Sequence, residues 1–262
     1  MPEGVEVRIS VDYITFLQNK NLLNAEILKD TKITKKCDVN LLRNIQLKEI
    51  FTKGKFIFFH FENDIYMEIH FGMSGNFSFV ENKHSIILFN FNDKTLYYND
   101  IRQFGHVNTY NEGQFKEKWK QIGIDILNSS NEELSLVADY IMIKCSNKLI
   151  KPTLLNQTII SGIGNIYAIE GLYLSKILPN KIVKNLSRNE ILNILINTRD
   201  FMLKSYKTKG MSVKTFILPD GHEAHSAKLL QIYGKKICLC GNVLTNEEIG
   251  GRNTVYCKGC QL

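Results

Sequence analysis

Short runs of apolar and aromatic residues in the N-terminal half constrain the fold more than any other feature. Each run is three to seven residues long, and the runs are separated by residues typical of turns, notably Asn and Asp. The runs lie at 55–61, 65–71, 86–91 and 96–98. Runs of this length separated by Asn/Asp turns are typical of antiparallel strands. The N-terminal half is therefore predicted to be an antiparallel β-sandwich or barrel.

Helical patterns dominate the rest of the chain. Apolar residues at helical spacing predict a helix over 5–18, and a second helix is expected over 132–145. Ser187 and Glu190 form a capping box that opens a further helix ending near Tyr206. Residues 111–130 are predicted to be a linker. We therefore expect an α+β protein with a β-sandwich domain at 1–125, a helical domain at 131–233 and a C-terminal hairpin at 234–262.

A two-glycine turn lies between two of the predicted helices. Residues 157–167 read QTIISGIGNIY, and the second helix is expected to begin at Asn165. Two glycines spaced two apart permit positive φ angles and a close approach of backbone to a ligand. A helix starting there directs its first N–H groups and its positive dipole end outward, which favours a phosphate. The alternative is a helical hairpin whose glycine corner binds nothing.

The N-terminus offers a candidate nucleophile. Removal of the initiator methionine would leave Pro2 with a secondary amine whose pKa is about 8. Attack of this amine on a sugar C1′ displaces the base and gives an iminium ion, which acidifies the C2′ proton so that the 3′ phosphate can leave. Glu3 is placed to protonate the ring oxygen. Alternatively, Pro2-Glu3 simply begins a helix, because proline is common in the first turn.

Four of the six cysteines fall in the last 25 residues. They form two pairs, Cys238/Cys240 and Cys257/Cys260, which predicts one structural tetrahedral zinc ion in a reducing compartment. A single residue between Cys238 and Cys240 is tighter than usual, so either this knuckle is distorted or one thiol is not a ligand. The other two cysteines are expected to be small buried apolar residues.

The net charge of +7 points to a polyanionic partner such as nucleic acid. No apolar run approaches the roughly 20 residues of a membrane span, and the N-terminus has no signal-peptide pattern. We expect an intracellular protein, located wherever the genome is, with no membrane partner. A monomer is the default expectation, because no oligomerisation stripe is evident.

In their order along the chain, these motifs resemble those of the formamidopyrimidine-DNA glycosylase/endonuclease VIII family of DNA repair enzymes. The resemblance spans residues 2–260 and includes helix-two-turn-helix and zinc-finger motifs. Six stretches carry it: Pro2-Glu3-Gly4, Lys53-Gly54-Lys55-Phe56, IHFGMSG at 69–75, DIRQFG at 100–105, the 157–170 turn and the cysteine tail. It implies a bifunctional glycosylase and abasic-site lyase that binds damaged DNA in a cleft between two domains and needs no organic cofactor.

The resemblance also implies a role for individual residues. Pro2 matches the Schiff-base nucleophile, Glu3 the general acid/base, and Lys55 a lysine that binds the phosphate beside the lesion. Three side chains match those that fill the gap left by an extruded base, and two match phosphate contacts from the helix turn and the zinc finger. The gap-filling residues are Met73, Arg102 and Phe104, and the phosphate contacts are Asn165 and Arg252. Glu170 matches an acidic position near the active site.

Features bearing on the substrate point in two directions. Pro2-Glu3-Gly4 is similar to the endonuclease VIII branch, which mostly removes oxidised pyrimidines. For this protein, hydantoin-type lesions and strand cleavage by β,δ-elimination are expected as well. The sequence around Met73 and the length of 210–234 are closer to the purine-directed branch, which acts on 8-oxoguanine and formamidopyrimidines. His222 and His225 replace the glycine-aromatic lid of that branch, and they would serve as lid contacts or simply as solvated loop residues. We expect oxidised pyrimidines to be preferred.

Two other classes of protein remain open. A non-catalytic damage sensor would extrude bases without excising them, but it would not need an amine at its terminus. A nucleic-acid-binding module of a transcription or translation assembly would account for the helix turn and the zinc hairpin. That class leaves the N-terminal half unexplained.

Overall fold

The computed structural model describes residues 2–211, 217–221 and 226–262, which form two compact units. The N-terminal unit contains residues 2–121 and the described part of 209–221, and the C-terminal unit contains 122–208 and 226–262. These units differ from the predicted domains in three respects, the first being that residues 122–125 belong to the C-terminal unit. The segment after residue 208 groups with the sheet, and the C-terminal hairpin groups with the helices instead of standing alone.

An antiparallel sheet of eight strands forms the N-terminal unit as far as it is described. Helix α1 (Gly4–Asp12) precedes the sheet and α2 (Glu112–Gln121) follows it. The strands are β1 (Asn21–Ile27), β2 (Ile45–Lys53), β3 (Phe56–Phe61), β4 (Tyr66–His70), β5 (Gly75–Ser78), β6 (Ser85–Phe91), β7 (Thr95–Asp100) and β8 (His106–Tyr110). Their order is β5-β7-β6-β1-β2-β3-β4-β8.

The sheet folds into two halves that enclose the core. Only two residue pairs join β1 to β2, at the boundary between the halves. Phe59 on β3 contacts Phe77 on β5 and Phe89 on β6, with ring centroids 6.0 and 5.7 Å apart. All three rings are buried. The antiparallel β-sandwich predicted from the apolar runs is therefore confirmed.

Two predictions for the flanking segments were inaccurate. The helix expected over 5–18 ends as an α-helix at Asp12 and continues with a 3-10 turn at Thr15–Leu17. The segment 111–130, predicted to be a linker, contains α2. Asn111 and Gln114 cap this helix by exchanging hydrogen bonds between side chain and backbone of 3.1 and 2.9 Å. Phe115 then stacks on Tyr66 of the sheet with ring centroids 4.0 Å apart.

The C-terminal unit is mainly helical. It contains β9 (Ile124–Asp125), α3 (Asn131–Lys144), α4 (Ile150–Leu154), β10 (Ile160–Ser161), α5 (Asn165–Leu174), α6 (Arg188–Lys207), β11 (Thr245–Ile249) and β12 (Arg252–Tyr256). The predicted start of α5 at Asn165 and the capping box before α6 are confirmed. A Cβ on Gly171 of α5 would lie 1.9 Å from the Thr198 hydroxyl of α6. Glycine is therefore required for these helices to pack closely.

No helix within the described ranges has the length and apolar character needed to cross a bilayer.

Candidate active site and nucleic-acid interface

The chain start that carries Pro2 and Glu3 is fixed by a carboxylate inside α1. Both residues are buried, and the Glu3 carbonyl accepts the N–H of Val7 (3.0 Å) in the first turn. Glu6 Oε2 accepts the Glu3 N–H (3.0 Å), and Glu6 Oε1 accepts the Met211 N–H (2.9 Å). Glu6 therefore holds the start of the helix and the segment after residue 208 together. Sequence reasoning missed Glu6, although acids three residues apart at a helix start are a capping-box signal.

Two loops of the sheet lie side by side, because Gly72 approaches the backbone of the second loop. Gly72 has φ +57°, and a Cβ there would lie 2.4 Å from the carbonyl carbon of Phe104. The first loop, 72–74, carries Met73, and the second, 101–105, carries Arg102 and Phe104. The structure thus brings together the two loops that carry the three side chains predicted to fill the gap in damaged DNA.

Asp100, which is 2% exposed, connects the two loops. Its Oδ1 accepts from the Ser74 hydroxyl (2.5 Å) and the Arg102 N–H (3.2 Å), and its Oδ2 accepts from the Gly105 N–H (2.8 Å). In the sequence, Asp100 is marked only by its place in the 100–105 motif. Its importance depends on a partner 26 residues away, which no local pattern reveals.

The tips of these loops face solvent. Phe104 is 50% exposed, and the Arg102 guanidinium carbon lies 4.9 Å from its ring centroid. Lys32 contributes a second cation 5.4 Å from the same ring. Met73 is half-buried. An exposed aromatic ring with two cations close to it suits contact with nucleobases and phosphates better than a role in the core.

Lys55 lies in the two-residue turn between β2 and β3, where Gly54 has φ +61°. Its side chain is half-buried, and its charge acts on His70 of the adjoining strand. The pKa of His70 is lowered to about 3, first by burial and then by the charges of His106 and Lys55. His70 is therefore a neutral imidazole beside a lysine at neutral pH.

In the C-terminal unit, Gln157 shapes the two-glycine turn. Its side-chain Oε1 accepts the Gly162 N–H (3.0 Å), and its Nε2 donates to the Ile163 carbonyl (2.9 Å). Gly162 has φ +101°, as expected for the turn. Gly164, in contrast, is the N-cap of α5 with φ −116°, an extended conformation open to any residue. Of the two glycines, only Gly162 uses the positive φ angle that this residue type permits.

Asn165 and Arg252, the predicted phosphate contacts, occupy neighbouring segments of this unit. Asn165 Nδ2 donates to the carbonyl of Asn253 (3.0 Å), the residue after Arg252. Arg252 is exposed at the start of β12, directly after the Gly250-Gly251 turn. The hydrogen bond therefore fixes the start of α5 against the strand that carries the arginine.

Glu170 accepts backbone hydrogen bonds and is fully buried. Its carboxylate accepts the N–H groups of Gln231 (2.9 Å), Ile232 (3.1 Å) and Tyr233 (2.8 Å). Burial raises the pKa of Glu170, and these three bonds oppose that shift. Within its own unit, Glu170 therefore fixes the chain that leads to the hairpin. His222 and His225 lie outside the described residues.

The four C-terminal cysteines form a cluster whose Sγ atoms all lie within 4.8 Å of one another. Cys238 and Cys260 are 3.7 Å apart, and Cys240 and Cys257 are 3.6 Å apart. A tetrahedral ion with bonds of about 2.3 Å requires sulfur separations of about 3.8 Å, so the geometry fits. The short spacing of Cys238 and Cys240 therefore does not prevent all four thiols from converging.

Hydrogen bonds to the sulfurs support this cluster. Tyr173 on α5 lies 3.3 Å from Cys238 Sγ, and Asn242 Nδ2 donates to Cys240 Sγ at 3.3 Å. The pKa of Cys240 is lowered to about 6, first by the backbone N–H of Asn242. The pKa of Cys260 is raised instead, to about 12, first by its hydrogen bond with Cys240. The convergence of the four sulfurs, and not the direction of these shifts, is therefore the support for a metal site, where each thiol would bind as a thiolate.

Sequence and structure comparisons agree on the family. Residues 1–107 match the formamidopyrimidine-DNA glycosylase N-terminal domain, and residues 122–217 match the H2TH domain of the same enzymes. The formamidopyrimidine-DNA glycosylase of Ureaplasma parvum is 33% identical over the full length of both chains. That of Mycoplasma pneumoniae is also 33% identical, over 90% of this chain and 88% of the relative.

Solved structures of formamidopyrimidine-DNA glycosylases have the same fold as this chain. The crystal structure of a Lactococcus lactis FPG mutant, in complex with Fapy-dG-containing DNA, superposes with a TM-score of 0.88 at 26% identity over 99% of both chains. The MutM (FPG) protein of Thermus thermophilus has the same fold, with a TM-score of 0.87 over 99% of this chain and 98% of that one. This chain therefore belongs to the formamidopyrimidine-DNA glycosylase/endonuclease VIII family.

Proposed function

We propose that this protein is a DNA glycosylase of base excision repair with abasic-site lyase activity. The buried Pro2-Glu3 start of α1, fixed by Glu6, is the observation that carries the proposal. A terminal amine can act on a sugar carbon only if its position is fixed. The N-terminal unit supplies this fixed position, and the loops of Met73 and Phe104 in the same unit supply groups for base extrusion.

In the proposed reaction, the Pro2 nitrogen attacks C1′ of the damaged nucleotide and the base leaves. Glu3 protonates the ring oxygen, and the sugar opens to an iminium ion between Pro2 and C1′. Loss of the C2′ proton expels the 3′ phosphate, and a second elimination expels the 5′ phosphate. Hydrolysis of the iminium then releases Pro2 and the sugar fragment.

Both units would contribute to DNA binding. We infer that Lys55, Asn165 and Arg252 bind phosphates, so binding weakens as salt rises. Met73, Arg102 and Phe104 would occupy the space left by the extruded nucleotide. Inserted apolar and planar groups recover part of the few kcal/mol that unstacking costs. The net charge of +7 suits this partner.

The lesion we favour is a formamidopyrimidine or a related oxidised purine such as 8-oxoguanine. The relatives from Ureaplasma and Mycoplasma are named for formamidopyrimidine, and the Lactococcus complex contains Fapy-dG. These names support the purine-directed alternative over the oxidised-pyrimidine preference suggested by Pro2-Glu3-Gly4. That preference and the endonuclease VIII-like assignment remain untested predictions.

We propose zinc as the ion held by the four cysteines. Four thiolates leave no open coordination position, so the ion would stabilise the β11–β12 hairpin and take no part in bond breaking. Arg252 projects from this hairpin, which links metal binding to DNA binding. No residue of the proposed reaction needs an organic cofactor.

Borohydride trapping on an abasic-site duplex tests the proposed chemistry. We expect a covalent complex with the methionine-processed protein and none with Pro2→Ala, while both proteins bind the duplex. Glu3→Gln should remain folded and lose most base excision. Absence of a complex with folded, metal-loaded, DNA-binding protein would contradict the lyase mechanism. It would favour a non-catalytic damage sensor, which requires the base-extruding loops but not the amine.

Lesion preference is a separate measurement. Single-turnover excision rates should be higher for formamidopyrimidine or 8-oxoguanine duplexes than for duplexes containing an oxidised pyrimidine. The opposite order would restore the endonuclease VIII-like assignment without affecting the proposed chemistry.

A further inference from the structure

A buried acid and two histidines form a polar cluster on the β4–β8 pair. His70 and His106 lie opposite each other in the strand register, and their rings stack at 5.1 Å with 3° between their planes. His106 Nε2 lies 2.5 Å from Oε1 of Glu68, which is 0% exposed. Lys118 of α2 reaches the same oxygen at 3.3 Å, and the Tyr110 hydroxyl donates to Oε2 at 2.8 Å.

The hydrogen-bond partners fix where the ring protons lie. Burial alone would raise the pKa of Glu68, but hydrogen bonds from His106 and Tyr110 and the charges of His106 and Lys118 outweigh it and lower the pKa. Glu68 is then ionised and can only accept, so His106 carries a proton on Nε2. His70 Nδ1 accepts the Gly72 N–H (3.1 Å), so the proton of neutral His70 lies on Nε2.

Gly72 is the point where this cluster reaches the DNA-facing loops. It begins the loop of Met73, and its backbone lies against that of Phe104 so closely that no side chain fits. A shift of Gly72 therefore moves Met73 relative to Phe104 and Arg102. The hydrogen bond to His70 fixes the N–H of Gly72, and the ring of His70 is in turn held by its stacking on His106.

We propose that Glu68 and His106 are positioning residues, which hold His70 as the acceptor for Gly72 and so fix the loop that presents Met73. This inference rests on the proposed function, because it assigns Met73 to the gap in damaged DNA. Neither Glu68 nor His106 needs to contact DNA. Without them, the His70 ring can turn, Gly72 loses its acceptor, and insertion of Met73 becomes slower.

The first test is made on the free protein and does not depend on enzymatic activity. Hydrogen exchange at the Gly72 amide should become roughly tenfold faster in Glu68→Gln and in His106→Ala, as expected for loss of one hydrogen bond. Tyr110→Phe is the matched control, because it removes a bond to the other oxygen of the same carboxylate. Its Gly72 exchange should match the wild type. Unchanged exchange in both test variants would overturn the inference.

The second test separates positioning from general stability. A formamidopyrimidine duplex with 2-aminopurine beside the lesion reports insertion by stopped-flow fluorescence. Glu68→Gln should slow this phase roughly tenfold, while affinity for undamaged duplex stays within about twofold. In a Met73→Ala background, Glu68→Gln should have little further effect, because both changes act on the same step.

The outcomes distinguish the two proposals. If the double variant slows the insertion phase by the product of the factors found for Glu68→Gln and Met73→Ala alone, the cluster acts on a different step from Met73. That result would overturn the inference. If Gly72 exchange responds as expected but the wild type shows neither insertion nor borohydride trapping, the positioning cluster stands and the proposed function fails.

Discussion

Replacing Asp100 with Asn is predicted to destabilise the N-terminal unit and impair base excision. The carboxylate accepts three hydrogen bonds: two at Oδ1, from Ser74 and Arg102, and one at Oδ2, from Gly105. Asn can keep its oxygen toward Ser74 and Arg102, but its NH₂ group then faces the Gly105 N–H. One buried donor is left without an acceptor, which costs about 2 kcal/mol.

This magnitude can be checked by unfolding. The only tryptophan of the chain, Trp119, lies on α2 of the same unit, so its fluorescence reports on that unit. A loss of about 2 kcal/mol should lower Tm by roughly 6 °C and shift the urea midpoint accordingly. Ser74→Ala removes one hydroxyl and should have a smaller effect. Asp93→Asn, which removes an exposed ion pair with Lys20, should leave the midpoint unchanged.

The functional effect should exceed the effect on stability. The loops of Met73 and Phe104 lose their common anchor, and misplacement by about 1 Å costs up to roughly a hundredfold in rate. Single-turnover excision, measured well below Tm, should therefore be much slower for Asp100→Asn than for the wild type. A wild-type urea midpoint, or a wild-type excision rate in a destabilised variant, would refute this reasoning.

Three further predictions concern pH, metal and salt. The pKa of His70 is lowered to about 3, so between about pH 6.5 and pH 3 the unfolded chain binds a proton that the folded chain does not. The free energy of unfolding should therefore fall as the pH falls through this window. In urea titrations, His70→Gln should reduce the slope of this free energy against pH. Zinc analysis should give one ion per chain, and a strong chelator or Cys240→Ser should release it and unfold the hairpin, whereas Cys37→Ser should retain it. Arg252→Gln should reduce the slope of log K against log salt for undamaged duplex by about 0.9, and Cys37→Ser, which removes no charge, should leave it unchanged.

Local signals account for the parts of the fold that were predicted correctly. The strands at 56–61 and 85–91 are marked by dense apolar residues and Asn/Asp turns, and α6 is marked by its capping box. Each of these signals lies within a few residues of the element it defines. The cysteine spacing similarly predicted a cluster that the structure confirms.

Tertiary contacts account for what was missed. Helix α2 has a strongly polar sequence, and its two aromatic residues gain their importance by packing against β3 and β4. Phe115 stacks on Tyr66, and Trp119 packs against Phe58 with ring centroids 5.7 Å apart. The cluster of Glu68 and His106 depends on the register of β4 with β8, across 38 residues of sequence. Neither pairing can be read from local periodicity.

The placement of the site depends on buried carboxylates that accept backbone N–H groups. Glu6 fixes the chain start, Asp100 fixes the two loops, and Glu170 fixes the segment leading to the hairpin. Glu6 and Asp100 hold residues proposed for catalysis and for filling the gap in DNA, and Glu170 holds the segment that leads to the hairpin of Arg252. Replacing any of these acids would therefore lower activity even if the acid takes no part in bond breaking. Loss of activity alone therefore cannot identify the general acid. To assign Glu3 as the general acid, Glu3→Gln must lose excision while it keeps the stability of the protein and the fixed position of the chain start. Glu6→Gln provides the comparison, because in that variant the chain start itself is released.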